Sequence, residues 1–182
     1  AGPARPAGNV VAEAPGGASD GANAEALQTT VMLRNLPADY TRTQLLEALD
    51  GAGFRGAYDL VYLPVDFTRG ARLGYALIGL QRHADAKHLL QHFQGAKLPG
   101  ISPDILCDAS WSEPSRTLEE HVERYRNSPV MHSSMPDDYK PVRFKNGERA
   151  EFPPPTKPIR APRIRHLKAG PSESGGRYHP AD

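Results

Sequence analysis

From residue 31 onward the chain alternates short apolar runs with helically spaced apolar positions. Val31–Leu36 (VMLRNL) is a mainly apolar run stopped by Asn35-Leu36-Pro37, which predicts a strand ending in a turn. Thr41-Arg42-Thr43-Gln44 fits a capping box, and Leu45, Leu46 and Leu49 form an apolar helical face closed by Gly51 and Gly53. Residues 58–63 (YDLVYL) read as a second strand closed by Pro64, with a loop over 66–72. Residues 73–80 (LGYALIGL) read as a third strand. Ala86, Leu89, Leu90 and Phe93 fall at i, i+3, i+4, i+7 and predict a second helix stopped at Gly95. Residues 105–111 (ILCDASW) then alternate as a fourth strand. The order is β-α-β-β-α-β, an α+β chain of the ferredoxin-like, split-βαβ plan with a four-stranded antiparallel sheet and two helices.

Strand alternation assigns two faces. Val31, Leu33, Val61, Leu63, Ala76, Ile78, Leu80, Cys107 and Ala109 point at the helices. Met32, Arg34, Tyr62, Tyr75, Leu77, Asp108 and Ser110 point at the open side. Two tyrosines, a methionine and a leucine on an uncovered sheet form an apolar patch that a monomer rarely leaves bare without a use.

Beyond the fourth strand, Leu118, Val122 and Tyr125 at i, i+4, i+7 predict a third helix over 117–127. It either covers the open sheet or docks beside it, and the pattern does not choose. Val142, Phe144 and Phe152 flank Asn146-Gly147, a hairpin-turn signal, so 139–155 is expected to be ordered against the domain. The ends differ in composition. Residues 1–28 are rich in Ala, Gly and Pro, carry a net charge of −2, and are expected to be disordered. From Pro153 the chain is proline-rich and basic, with net +4 against −1 for 29–152. The organisation expected is therefore 1–28 disordered, 29–112 the βαββαβ core, 113–155 an ordered extension and 156–182 a disordered basic tail. Such a tail suits a linker, phosphate attraction or nuclear import.

Composition removes several functions. The 182 residues hold one cysteine, Cys107, which leaves no disulfide framework and no multi-cysteine zinc site. No apolar run is long enough for a membrane helix, and no basic-then-apolar start suggests a secretory signal. His88 and His92 have i, i+4 spacing, but no Glu follows the first as in zincins, so a solvated helix face is the simpler reading. No Walker loop, no GxGxxG and no nucleophile–base arrangement is present. The expectation is a non-enzyme with no cofactor, no metal, no membrane and no small-molecule substrate.

Two strand signatures carry a resemblance. RNA recognition motifs have a hexapeptide on the first strand and an octapeptide on the third, whose aromatics stack bases. VMLRNL resembles the hexapeptide at Asn35-Leu36, with Met32 where an aromatic is usual. LGYALIGL resembles the octapeptide at Gly74, Tyr75, Ala76 and Ile78, with Leu77 where a second aromatic is usual. Together with YDLVYLPVDF and the trailing NSPVM…YKPVRFKNGERAEFPPP, residues 29–155 are similar to the C-terminal RNA recognition motif of the Mei-two-like family of meiotic and developmental regulators. The resemblance implies binding of single-stranded RNA without catalysis, in a nuclear or nucleocytoplasmic setting.

On that reading Tyr75 is the first stacking platform and Tyr62 the second. Met32 and Leu77 make apolar contacts to base faces. Arg34, Arg69 and Arg72 reach phosphates, and Ser110 donates or accepts. Trp111, in register with Cys107 and Ala109, belongs to the edge of the core. The competing reading is a protein-interaction module in which the sheet face or the third helix holds a protein partner, favoured by the missing aromatics and the slightly acidic middle segment.

Overall fold

The structure, a computed structural model, describes residues 27–163. The disorder expected over residues 1–26 and 164–182 lies outside the described residues. The elements are β1 (Thr30–Arg34), α1 (Arg42–Gly51), β2 (Tyr58–Tyr62), β3 (Val65–Asp66), β4 (Ala71–Arg72), β5 (Tyr75–Leu80), α2 (His83–Phe93), β6 (Asp108–Trp111), α3 (Leu118–Arg126), β7 (Val142–Lys145) and β8 (Glu148–Ala150). One antiparallel sheet runs β6-β1-β5-β2-β7-β8, and β3-β4 form a separate small ladder. The central four strands with α1 and α2 are the ferredoxin-like βαββαβ unit.

The core lies between α1, α2 and one sheet face. All nine residues assigned to the helix side by alternation are buried in it, joined by Tyr40, Leu45, Leu49, Leu89 and Phe93. Thr41 caps α1 through the expected reciprocal pair: its Oγ1 accepts from Gln44 N–H at 3.1 Å, and Gln44 Oε1 accepts from Thr41 N–H at 2.9 Å. Cys107 is buried, and burial pushes its thiol up to about 11, so it stays a small apolar group. Trp111 is half-buried at the core edge, with the His83 ring stacked on it at 5.2 Å.

All four strands differ from expectation at an end: the first runs Thr30–Arg34, the second stops at Tyr62, and the third and fourth begin later. The fourth strand begins at Asp108, not Ile105. Cys107 pairs instead with the exit of α2, accepting from Gly95 N–H and donating to the Ala96 carbonyl at 2.8 Å each, so Ile105 and Leu106 remain exposed. The third begins at Tyr75, because Gly74 takes a left-handed φ of 86° and its carbonyl accepts from Leu36 N–H at 3.0 Å. The loop over 66–72 also contains the β3–β4 ladder, turned at Gly70.

The extension enlarges the sheet. β7 pairs with the outer edge of β2, Leu60 opposite Arg143 and Val61 opposite Val142, and so protects that edge. Asn146 and Gly147 both have positive φ, as a two-residue hairpin turn to β8 requires. Arg42 of α1 ties the extension down, donating to the carbonyls of Asp137 (2.7 Å) and Lys140 (3.1 Å) and to the Asp137 carboxylate (2.6 Å). Past β8, Thr156 donates from N–H (3.0 Å) and Oγ1 (3.1 Å) to Asn127 Oδ1, and residues 156–163 form no helix or strand.

Register shifts between Tyr58 and Leu60, a bulge that turns Asp59 and Leu60 toward Gly79 on the neighbouring strand. A Cβ at Gly79 would lie 2.8 Å from Asp59 Oδ1 and 3.0 Å from Leu60 Cβ. Gly79→Ala is expected to destabilise the domain by about 1–3 kcal/mol through overpacking. Gly51→Ala, whose added Cβ meets nothing within 4 Å, is the control. Urea midpoints check this, and equal midpoints for the two variants would contradict it.

Candidate nucleic-acid interface

Three rows of side chains cross the sheet face away from α1 and α2. Cα pairing places Thr30, Gly79 and Leu60 in the first row. Ser110, Met32, Leu77 and Tyr62 form the second, and Asp108, Arg34 and Tyr75 the third. The helix α3 lies on this face. Leu60, Leu77 and Tyr125 are buried together, with Met32, Tyr62, Tyr75, Leu118 and Phe152 packed around them. The Tyr125 ring rests on Tyr62 with centroids 4.8 Å apart, and His121 stacks on Tyr125 at 5.9 Å. The question that periodicity left open is answered: the third helix covers the first row and the Leu77–Tyr62 half of the second.

Local sequence explains why α3 forms there. Thr117 and Glu120 make a second capping box, with Glu120 Oε2 accepting from Thr117 N–H at 2.7 Å. His121, Val122 and Tyr125 are its buried residues. The far end is strapped down by the chain after β8. Arg126 donates to the Pro154 carbonyl from Nε at 2.8 Å and from Nη2 at 2.5 Å, Asn127 holds Thr156, and Phe152 enters the apolar cluster.

What stays open is an angled strip: Met32 and Ser110 of the second row, and the whole third row. Arg34 is half-exposed, donating to Ser110 Oγ at 2.6 Å and facing Asp108 at 3.6 Å. Tyr75 is half-buried at the side of a cavity of about 390 Å³, lined also by Tyr62, Leu73, Leu77, Arg124, Tyr125 and Ser128. Leu73, outside the strand, is half-exposed at its mouth.

Several expected site residues sit differently from the flat-sheet picture. Leu77 is only 8% exposed because α3 lies over it, and one face of Tyr62 is taken by Tyr125. Burial also raises the Tyr62 hydroxyl well above its ordinary value, keeping it protonated. Arg72 does not face solvent as a phosphate contact would. Its side chain is 7% exposed, donates to the Leu63 carbonyl at 3.0 Å, pairs with Asp138 and lies over the Tyr139 ring. Arg69, at the tip of the β3–β4 hairpin, is exposed and 3.7 Å from Asp66. Arg124, Tyr125 and Ser128 were missed as cavity walls; the spacing of Leu118, Val122 and Tyr125 pointed to the helix, but not to the surface that it covers.

Residues 28–116 match the family described as RNA recognition motif 2. Residues 28–116 belong to that family. The family is one of non-catalytic RNA-binding modules. Among relatives, "Protein MEI2-like 4" of Oryza sativa subsp. japonica is 28% identical over 131 residues, covering 69% of this chain and 13% of that protein. "Protein MEI2-like 4" of Arabidopsis thaliana is 38% identical over 104 residues, covering 57% of this chain and 11% of that protein. The chain thus spans a small part of the curated relatives it matches. A solved structure of the Rna15 RNA recognition motif with bound RNA (GU) aligns at 21% identity and a TM-score of 0.39, covering 52% of this chain and 94% of that one. Among the described residues, no group of three or more His, Cys, Asp or Glu is placed to hold a metal ion, and no helix is long and apolar enough to cross a membrane.

In this RNA recognition motif the α3 contact carries two titratable groups with opposite pH behaviour. His121 is 2% exposed. The Thr30 hydroxyl reaches the Arg116 carbonyl at 3.4 Å and lies 3.1 Å from His121 Nε2, an order that puts the ring proton on Nε2. Nδ1 is buried with no partner. Burial, with Arg116 and Arg124 nearby, lowers its pKa below 6.5. Its contribution to stability is therefore full above pH 6.5 and is lost as pH falls through the folded value. Asp59 is raised to about 6 by burial and by Glu119, so it adds stability as pH falls through 6. His121→Gln isolates the first effect. Relative to that variant, the native chain should lose stability as pH drops below about 6.5, read as thermal midpoints across pH. A difference independent of pH would contradict this account of His121.

Proposed function

We propose that this chain binds single-stranded RNA, as a non-catalytic module, on the strip of sheet that α3 leaves open. One base stacks on Tyr75 inside the cavity walled by Leu73, Arg124 and Tyr125. The strand continues over Met32 toward Ser110 and Arg34, with the exposed Arg69, paired at 3.7 Å with Asp66, able to turn toward a phosphate from the hairpin tip. Leu77 and Tyr62 back the cavity instead of stacking, and Arg72 holds the extension in place. The observation that carries this reading is the half-exposed Tyr75 ring in a nucleotide-sized cavity beside an arginine, on the sheet face that an RNA recognition motif uses.

Magnitudes favour a fixed α3 over one that RNA displaces. Exposing Leu60, Leu77 and Tyr125 would cost about 1.5–3 kcal/mol for each side chain, besides the strap bonds at Arg126 and Asn127. One further stacked base returns about 1–3 kcal/mol. A nucleotide strand therefore gains more by using the open rows than by lifting the helix.

Tyr75→Ala is expected to weaken binding of a random-sequence oligoribonucleotide by about 1–3 kcal/mol, while Tyr75→Phe stays near the native affinity. Fluorescence anisotropy at fixed salt measures both. An unchanged affinity in Tyr75→Ala would reject the reading, and binding of a peptide library but no RNA would favour a protein-interaction module.

A further inference from the structure

The βαββαβ core supplies no net positive charge for an RNA-binding surface. Residues 28–111 hold eight Lys and Arg against eight Asp and Glu, residues 112–139 three against six, and residues 140–163 seven against two. Affinity for a polyanion comes largely from phosphate neutralisation. Among residues 28–163 the excess positive charge lies past residue 139 and not in the strands that carry Tyr75.

Part of that charge converges on one feature. A cavity of about 320 Å³ is lined by the basic Lys140, Arg143 and Arg149, by the acidic Asp137 and Glu151, and by Met131 and Phe152. Asp137 is neutralised from two sides: Arg42 donates at 2.6 Å, and Arg149 at 2.9 and 2.6 Å. These donors hold its carboxyl far below the usual carboxylate range. The three groups together carry one positive charge. Lys140 and Arg143 form no ion pair among the described residues, and Arg143 Nε is buried without an acceptor. With Glu151 counted, the lining residues carry a net charge of +1, and Arg42 behind Asp137 brings it to +2.

Its position relates it to the RNA surface. Ser128 lines the Tyr75 cavity and Met131 lines this one, joined by the single turn Pro129–Met131. Phe152 lines this cavity and packs in the cluster that holds Tyr125. The two cavities therefore flank one piece of structure, the end of α3 with its strap.

We infer that the Lys140–Arg143 cavity binds a backbone phosphate of the same RNA strand whose base occupies the Tyr75 cavity, so that the extension is a second, sequence-independent part of the interface. This rests on the reading of Tyr75 as a base-stacking site. Arg143 makes no side-chain hydrogen bond or ion pair among the described residues, so its guanidinium remains available to a phosphodiester oxygen alongside its longer-range attraction to Asp59, and Lys140 adds a mobile point charge beside it.

The experiment compares oligoribonucleotides of roughly four and roughly twelve nucleotides, titrated on the full chain over a salt series. Lys140→Gln with Arg143→Gln should bind the longer RNA about three- to tenfold more weakly, with a salt slope shallower by about one to two. The short RNA should bind it unchanged, and Arg143→Lys should keep most of the native affinity. Thermal melts establish folding, and Lys140→Gln alone serves if the double variant is unstable. Unchanged binding of the longer RNA, or equal loss on both RNAs, overturns the inference. If Tyr75→Ala leaves both RNAs unaffected while the double variant still weakens the longer one, the phosphate site stands and the Tyr75 reading falls.

Discussion

Tyr125 rests on Tyr62 above Leu60 and Leu77, and that contact decides which part of the sheet a ligand can reach. It consumes two of the four apolar positions that strand alternation places on the open face. It also creates the cavity at Tyr75, because a bare sheet has no wall and α3 supplies one. The remaining features serve this contact. Capping by Thr117 starts the helix at the right place, the bulge at Asp59 turns Leu60 toward it, and Gly79 leaves room for both Asp59 and Leu60.

The extension explains why the contact is durable. A nine-residue helix is too short to be stable by itself in water. Here it is held from below by the sheet and at its far end by Pro154 and Thr156, which the β7–β8 hairpin delivers. The hairpin is in turn anchored on β2 and, through Asp137, on Arg42 of α1. The segment after the fourth strand is thus continuous with the domain in both packing and hydrogen bonding, and its residues 140–163 carry a net positive charge that the core lacks.

Most of the fold was legible in the chain, because its local signals agree with one another. Period-2 alternation put nine residues in the core, Thr41 and Gln44 capped the first helix, and Asn146-Gly147 marked the hairpin. The misses have physical causes. Ile105 and Leu106 look like strand residues, but Cys107 gives its backbone hydrogen bonds to the exit of α2. Arg72 looks like a loop cation, but it is buried by the 3-10 turn Asp137–Tyr139, some 66 residues away. The same non-locality hid Arg124 and Ser128: periodicity reports which side of a helix is apolar, and not what that side rests on. The family resemblance pointed to one sheet face, and tertiary packing divides that face into a covered half and an open half.

The most direct test is nuclear magnetic resonance of the chain titrated with a single-stranded oligoribonucleotide. Aromatic contacts between Tyr62 and Tyr125 and the resonances of Tyr75, Met32 and Arg34 would be followed together. The account predicts that the Tyr75 row shifts on binding while the Tyr62–Tyr125 contacts persist. Loss of those contacts on RNA addition, or shifts that leave the Tyr75 row untouched, would contradict it.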